Sequence, residues 1–286
     1  MLTSPDQEVF EDAIWDLYDH VLNVDTVSPA TVPAVPFIAR LAAAGVRSPA
    51  LLYMLGRIAA ADHADDGSPD EAHAAVVTQL PLLLPMLTHD DAEVRQLAVW
   101  VVAQCRGSDL APKALWARWR EERHASVRAD LVFALALLDP ARATGMAAGL
   151  LTSAEPDKVR IAAVAVSLRL GGAWTDEARD TVLSLLPVGD RFGESPWIRE
   201  PLVEIVHDVA ERGDIPQAIE MLEIGLKAVG LTDPAARDEL LLAAKSVGDE
   251  VAETRARMLP VLLPLLKIPD ESQRVMRYLR AWSVFG

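Results

Sequence analysis

Three stretches of the chain carry the same order of polar and apolar positions. DDAEVRQLAVWVVA begins at Asp90, RHASVRADLVFALA at Arg123 and EPDKVRIAAVAVSL at Glu155. Each opens on a polar turn, passes through Val-Arg and continues into small and aliphatic residues over a helical length. The Val-Arg pairs fall at 94–95, 127–128 and 159–160, spaced by 33 and 32 residues. Looser copies place Arg47 in GVRSPALLYML, Arg199 in SPWIREPLVEI, Arg237 in DPAARDELLLA and Arg274 in ESQRVMRYL, with the later spacing widened to 37–39 residues. Repeat arrays tolerate such insertions because loop-closure entropy grows slowly with length.

Apolar helices fill the intervals. They start near Thr31, Ala72, Ala111, Ala141, Asp176, Ile215 and Thr254. Pro33, Pro112, Pro201 and Pro234 lie near proposed helix starts, where the missing N–H costs nothing. Pro36, Pro81, Pro85 and Pro264 lie deeper and should kink their helices. Asp90, Ser126 and Asp157 are expected N-caps. The pattern predicts an N-terminal helix from about Asp6 to Val21, within a capping segment over 1–28. About seven A/B hairpins follow over 29–286, all in one domain. No long period-two alternation and no Asn-Gly or Asp-Gly turn argues for strands.

The D-x-x-V-R pattern resembles the HEAT repeat family. The resemblance implies an all-α, right-handed α-solenoid in which B helices line the concave face. It also implies a ladder of Asp–Arg pairs under the turns, for which Asp91 with Arg95 and Asp157 with Arg160 are the best matches. The repeat from Arg123 lacks the acidic partner. The first sixty residues, through AIWDLYDHVLNVDTVSPATVPAVPFIARL and LLYMLGRIA, resemble small bacterial HEAT proteins. Some of these are proposed to be immunity proteins that bind a toxin. The matching positions are Trp15, Leu17, Thr26, Val27, Ala34, Val35, Pro36 and Phe37, with Asp25 where that group usually has Gly.

Composition narrows the functions. The formal net charge is -15 over 286 residues, which disfavours nucleic acid and anionic membranes and fits a basic protein partner. The single cysteine, Cys105, rules out an intramolecular disulfide. The acidic N-terminus has no signal-peptide pattern and no apolar run reaches the ~18 residues of a membrane span, so a cytoplasmic protein is expected. The basic residues are mostly Arg, a bias associated with GC-rich bacterial genomes.

Catalytic patterns are missing. None of the six histidines precedes a Glu, as iron-binding HEAT hydroxylases would require. No phosphate-binding, nucleophile-elbow or paired-cysteine motif occurs. Arg118, Arg120, Arg123 and Arg128 with Trp116 and Trp119 could stack on bases, but at helical spacing they read as one face of an A helix. The tract from Asp62 to His73 holds carboxylates and imidazoles without an ordered calcium-loop spacing, so no tight metal site is expected. Cys105 follows an apolar helix and reads as packed.

The expectation is therefore a non-catalytic protein-binding solenoid, monomeric or weakly dimeric, with no cofactor. An immunity role is the finer form. A regulatory scaffold, or an enzyme on a HEAT scaffold such as a glycosylase or lyase, are the alternatives. Glu200, Glu204, Asp208 and Glu211 recur at helical spacing beside His207. Like charges so placed weaken a helix slightly, and on a B helix they would form the charged end of the partner surface. Trp100 and Gln104 are the candidates nearer its middle.

Overall fold

The Val-Arg segments and the apolar intervals between them become helices, joined by short turns. The computed structural model describes residues 7–23, 26–64, 67–185 and 195–197, together with Ile205, Asp208, Val209 and Ala218. The chain divides into two units: Met1–Ala143 with Ser195–Trp197, and Thr144–Glu194 with Ile198–Gly286. The fold is all-α and of the HEAT-like hairpin type.

The first unit opens with α1 (Gln7–Val21). The hairpin of α2 (Thr31–Ala43) and α3 (Ser48–Ala60) comes next. In the following hairpin the A arm is α4 (Pro69–Thr78), α5 (Leu80–Leu83) and a 3-10 turn (Leu84–Thr88), and the B arm is α6 (Ala92–Gln104). Pro81 and Pro85 do more than kink this A arm. Each starts a new short helix, because neither can donate to the preceding turn. Pro36 instead lies within an unbroken α2, and Pro264 lies outside the described residues. A third hairpin pairs α7 (Leu110–Glu121) with α8 (Ala125–Leu138).

The B helices α3, α6 and α8 pack side by side, which explains their sequences. In α8 every residue from Val127 to Leu135 is buried, so this helix is covered on nearly every side and cannot show a clean polar face. Leu51, Leu52, Leu55, Leu131 and Leu135 are fully buried, each contributing about 2 kcal/mol by removal from water. In the second unit, α10 (Asp157–Arg169) packs with α11 (Asp176–Leu185), and Ile161–Val166 are buried as a continuous run. The helix α9 (Pro140–Leu151) crosses the division between units.

Two details depart from expectation. Three two-residue strands form a small sheet: β1 (Leu22–Asn23) runs antiparallel to β2 (Thr26–Val27), which runs parallel to β3 (His63–Ala64). The Thr-Val pair of the N-terminal segment thus binds the chain leaving α3. Thr31, fully buried, joins α1 to α2: its hydroxyl donates to the Val21 carbonyl and accepts the Ser28 N–H at 2.9 Å. Ser28 Oγ donates to the His20 carbonyl at 2.6 Å. These bonds satisfy carbonyls that the end of α1 leaves unpaired. The second departure is in the caps. Asp91, not Asp90, caps α6 by accepting the Glu93 N–H at 2.9 Å. His124 precedes α8 without a side-chain cap, and Asp157 is the first residue of α10 behind Pro156.

Candidate functional site

The repeated arginines bind carbonyls of their own turns, and Arg95 takes its carboxylate from the next hairpin. Arg95 Nη1 donates to the His89 and Asp90 carbonyls, both at 2.8 Å. Its Nε reaches Glu122 Oε2 of the next hairpin at 2.9 Å. Arg118 donates to the same oxygen from Nε and Nη2 at 3.0 and 2.6 Å. The other oxygen, Oε1, accepts the N–H groups of Arg123 and His124, each at 2.8 Å. Glu122 thus supplies the carboxylate of this turn to Arg95 of the preceding hairpin and to Arg118. Its side chain is 2% exposed. Burial alone pushes its carboxyl up. The His124 N–H, Arg95, Arg118 and the Arg123 N–H outweigh burial and lower it from 4.5 to about 2. Arg128 donates to the Trp119 and Glu122 carbonyls and lies 4.0 Å over the Trp119 ring. Arg160 reaches the Leu151 carbonyl and Thr181 Oγ1. Arg142 covers Trp116 at 3.7 Å. Arg118, Arg128, Trp116 and Trp119 of the group near α7 are therefore tied into the fold.

A second cluster lies on the B helices. Gln96 and Trp100 are one turn apart on α6, and Asp130 and Phe133 are one turn apart on α8, so each pair shares a face. Gln96 Nε2 donates to Asp130 Oδ2 at 3.0 Å, and Ser195 Oγ donates to Asp130 Oδ1 at 2.8 Å. Asp130 is buried. Trp197 meets Trp100 edge to face at 4.8 Å between centroids and 82°, and stacks on Phe133 at 6.1 Å and 15°. Beneath Trp100 lies Gly56 of α3, where a Cβ would sit 1.9 Å from Trp100 Nε1.

Residues 45–104 match the HEAT-like repeat family. The matched span runs from the α2–α3 turn to the end of α6 and contains Gly56, Gln96, Trp100 and Gln104. A crystal structure of an engineered protein is similar over 97% of this chain and 74% of its own, at 20% identity and a TM-score of 0.40. None of the curated proteins matches the chain.

Within this HEAT-like arrangement the sequence-derived candidates fall in different settings. Trp100 is half-buried under Trp197, and Gln104 is buried near the end of α6. Asp208 is half-buried. Glu200, Glu204, His207 and Glu211 lie outside the described residues. Sequence reasoning missed Asp130, Phe133, Ser195 and Trp197. The one available signal was an Asp inside the otherwise apolar ADLVFALA.

In the tract from Asp62 to His73, His63 Nδ1 bonds Asp62 Oδ1, while His73 places Nδ1 and Nε2 each 3.0 Å from the Ala59 and Arg106 carbonyls. Asp65 and Asp66 lie outside the described residues, and among those described no three His, Cys, Asp or Glu gather as a metal group. No described helix is long and apolar enough to cross a membrane. Cys105 is fully buried, and burial raises its thiol to about 12. The thiolate is the reactive form, so Cys105 should resist a thiol reagent at pH 8 until denaturant is added. Stoichiometric labelling of the folded protein within minutes would contradict this placement.

Proposed function

We propose that the chain is a non-catalytic protein-binding module whose partner presents a basic surface. The observation that carries this reading is the acidic excess of the chain, with many of its acids exposed and several of its arginines committed to the fold. Arg95, Arg118, Arg128 and Arg160 are engaged with carboxylate, carbonyl and hydroxyl groups of the fold. Asp16, Asp70, Glu71, Asp90, Glu121 and Glu177 are exposed. With a net charge of -15, the surface attracts a cationic protein and repels phosphate. Stacked hairpins also offer one helix surface after another, which suits extended contact. The finer form of the proposal is neutralisation of a bacterial toxin by binding. It is supported by the likeness of the first sixty residues to proposed immunity proteins.

The test is affinity purification from the native host, followed by association kinetics at two salt concentrations. Because Asp208 is half-buried, the acidic stripe is better reversed at Glu204 and Glu211. The double Lys variant is expected to associate several-fold more slowly and with a flatter salt dependence. Unchanged rate and affinity would dismiss the stripe. A captured partner without toxic activity would dismiss the immunity role, and capture of nucleic acid would dismiss the basic-protein reading.

A further inference from the structure

On the B-helix side of α6 and α8 the chain holds a short piece of itself. Residues on both sides of Ser195–Trp197 belong to the second unit, and these three alone join the first. The seat has two parts. At one end Asp130, oriented by Gln96, accepts the Ser195 hydroxyl. At the other end Trp100 and Phe133 take the Trp197 ring edge-on and face-on. Pro196 spans the two, and its fixed φ lowers the entropy lost on seating. Ser195 Oγ also accepts the Trp197 N–H at 3.2 Å, so the segment folds back on itself as a tight turn.

This self-contact is incomplete. A hydrogen bond to a carboxylate and two ring contacts favour the seated segment. Against them, Trp100 Nε1 and Trp197 Nε1 are buried and meet no acceptor among the described residues. A buried donor without an acceptor forfeits its hydration, which reduces the net hold on the segment. An aromatic ring without an N–H would occupy the Trp197 position at lower cost.

We propose that the face formed by Gln96, Trp100, Asp130 and Phe133 is a peptide-binding seat for a partner segment of hydroxyl, proline and aromatic residues in succession, and that Ser195–Pro196–Trp197 is a self-ligand which the partner displaces. The proposal rests on the protein-binding reading above and adds to it the site and the motif. Until the partner arrives, the self-ligand shields Trp100 and Phe133 from adventitious apolar contacts.

The experiment uses the full chain and a fluorescein-labelled synthetic peptide of residues 193–199, with binding read by anisotropy. Trp197→Ala should keep its helical circular dichroism and bind the peptide at least ten-fold more tightly than the unaltered chain, because its own segment no longer competes. Ser195→Ala removes only a hydroxyl and should bind several-fold more tightly; it decides the matter if Trp197→Ala does not fold. Adding Trp100→Ala to Ser195→Ala should abolish the gain. A peptide with Phe in place of Trp should bind the Ser195→Ala chain at least as well. Equal binding, or none, by the unaltered chain and Ser195→Ala would overturn the proposal. So would a concentration-dependent dimer that Ser195→Ala weakens, since the occupant would then be a second copy. Capture of a native partner that Trp100→Ala leaves intact would sink the seat alone. Peptide binding without any basic partner in the host would sink the broader reading alone.

Discussion

Glu122→Ala is expected to cost about 3–5 kcal/mol of stability, because removing one member of a buried ion pair strands the others. Arg95 and Arg118 would lose their shared carboxylate, and the N–H groups of Arg123 and His124 would lose their acceptor at the start of α8. Glu122→Gln keeps the shape and one acceptor oxygen, so it should cost roughly half as much. The pH dependence separates charge from shape. The folded carboxyl titrates at about 2, below the 4.5 of an unperturbed glutamate. Its contribution is therefore complete above pH 4.5 and is lost as pH falls through 2. The full difference corresponds to about 3 kcal/mol. Urea melts between pH 7 and pH 2.5 should show the gap between Glu122→Gln and the unaltered chain closing over that window. A gap below 1 kcal/mol at pH 7, or one that ignores pH, would remove Glu122 from its central place.

Gly56→Ala tests the contact beneath Trp100. Helix propensity alone favours the change by about 1 kcal/mol. Packing opposes it, since the new Cβ would stand 1.9 Å from Trp100 Nε1 and 2.1 Å from Cδ1. The indole is rigid, and Trp197 lies against it within 4.8 Å between centroids, so it cannot simply lift away. Packing should win, with a net loss of about 2 kcal/mol. In a Trp100→Ala background the clash is gone and the same substitution should become neutral or stabilising, a coupling that a double-mutant cycle measures. A stabilised Gly56→Ala single variant would contradict the geometry.

The sequence is most informative where its information is local. Val94-Arg95, Val127-Arg128 and Val159-Arg160 open α6, α8 and α10 within a few residues, because a polar turn followed by an apolar run is a short-range signal. Glu122 was not legible as a partner of Arg95, since they are 27 residues apart and belong to different hairpins. The two-residue strands carry no alternation to detect. Ser195 and Asp130, 65 residues apart, meet through tertiary packing that no repeat period encodes. The same holds for Trp100, a candidate for the partner surface, whose ring meets Trp197 edge to face.

The bond from Arg95 to Glu122 also bears on how such a chain can be recombined. A cut between α6 and α7, the obvious boundary of a helical hairpin, parts the arginine from its acid. A cut just after His124 keeps Arg95, Arg118 and Glu122 on one fragment. It severs the bonds of Arg128 to the Trp119 and Glu122 carbonyls, of Gln96 to Asp130 and of Trp116 to Asp139, but leaves the carboxylate cluster whole. The transferable module in this chain therefore runs from the middle of one hairpin to the middle of the next, and chimaeras joined at 124–125 should fold where those joined at 106–108 fail.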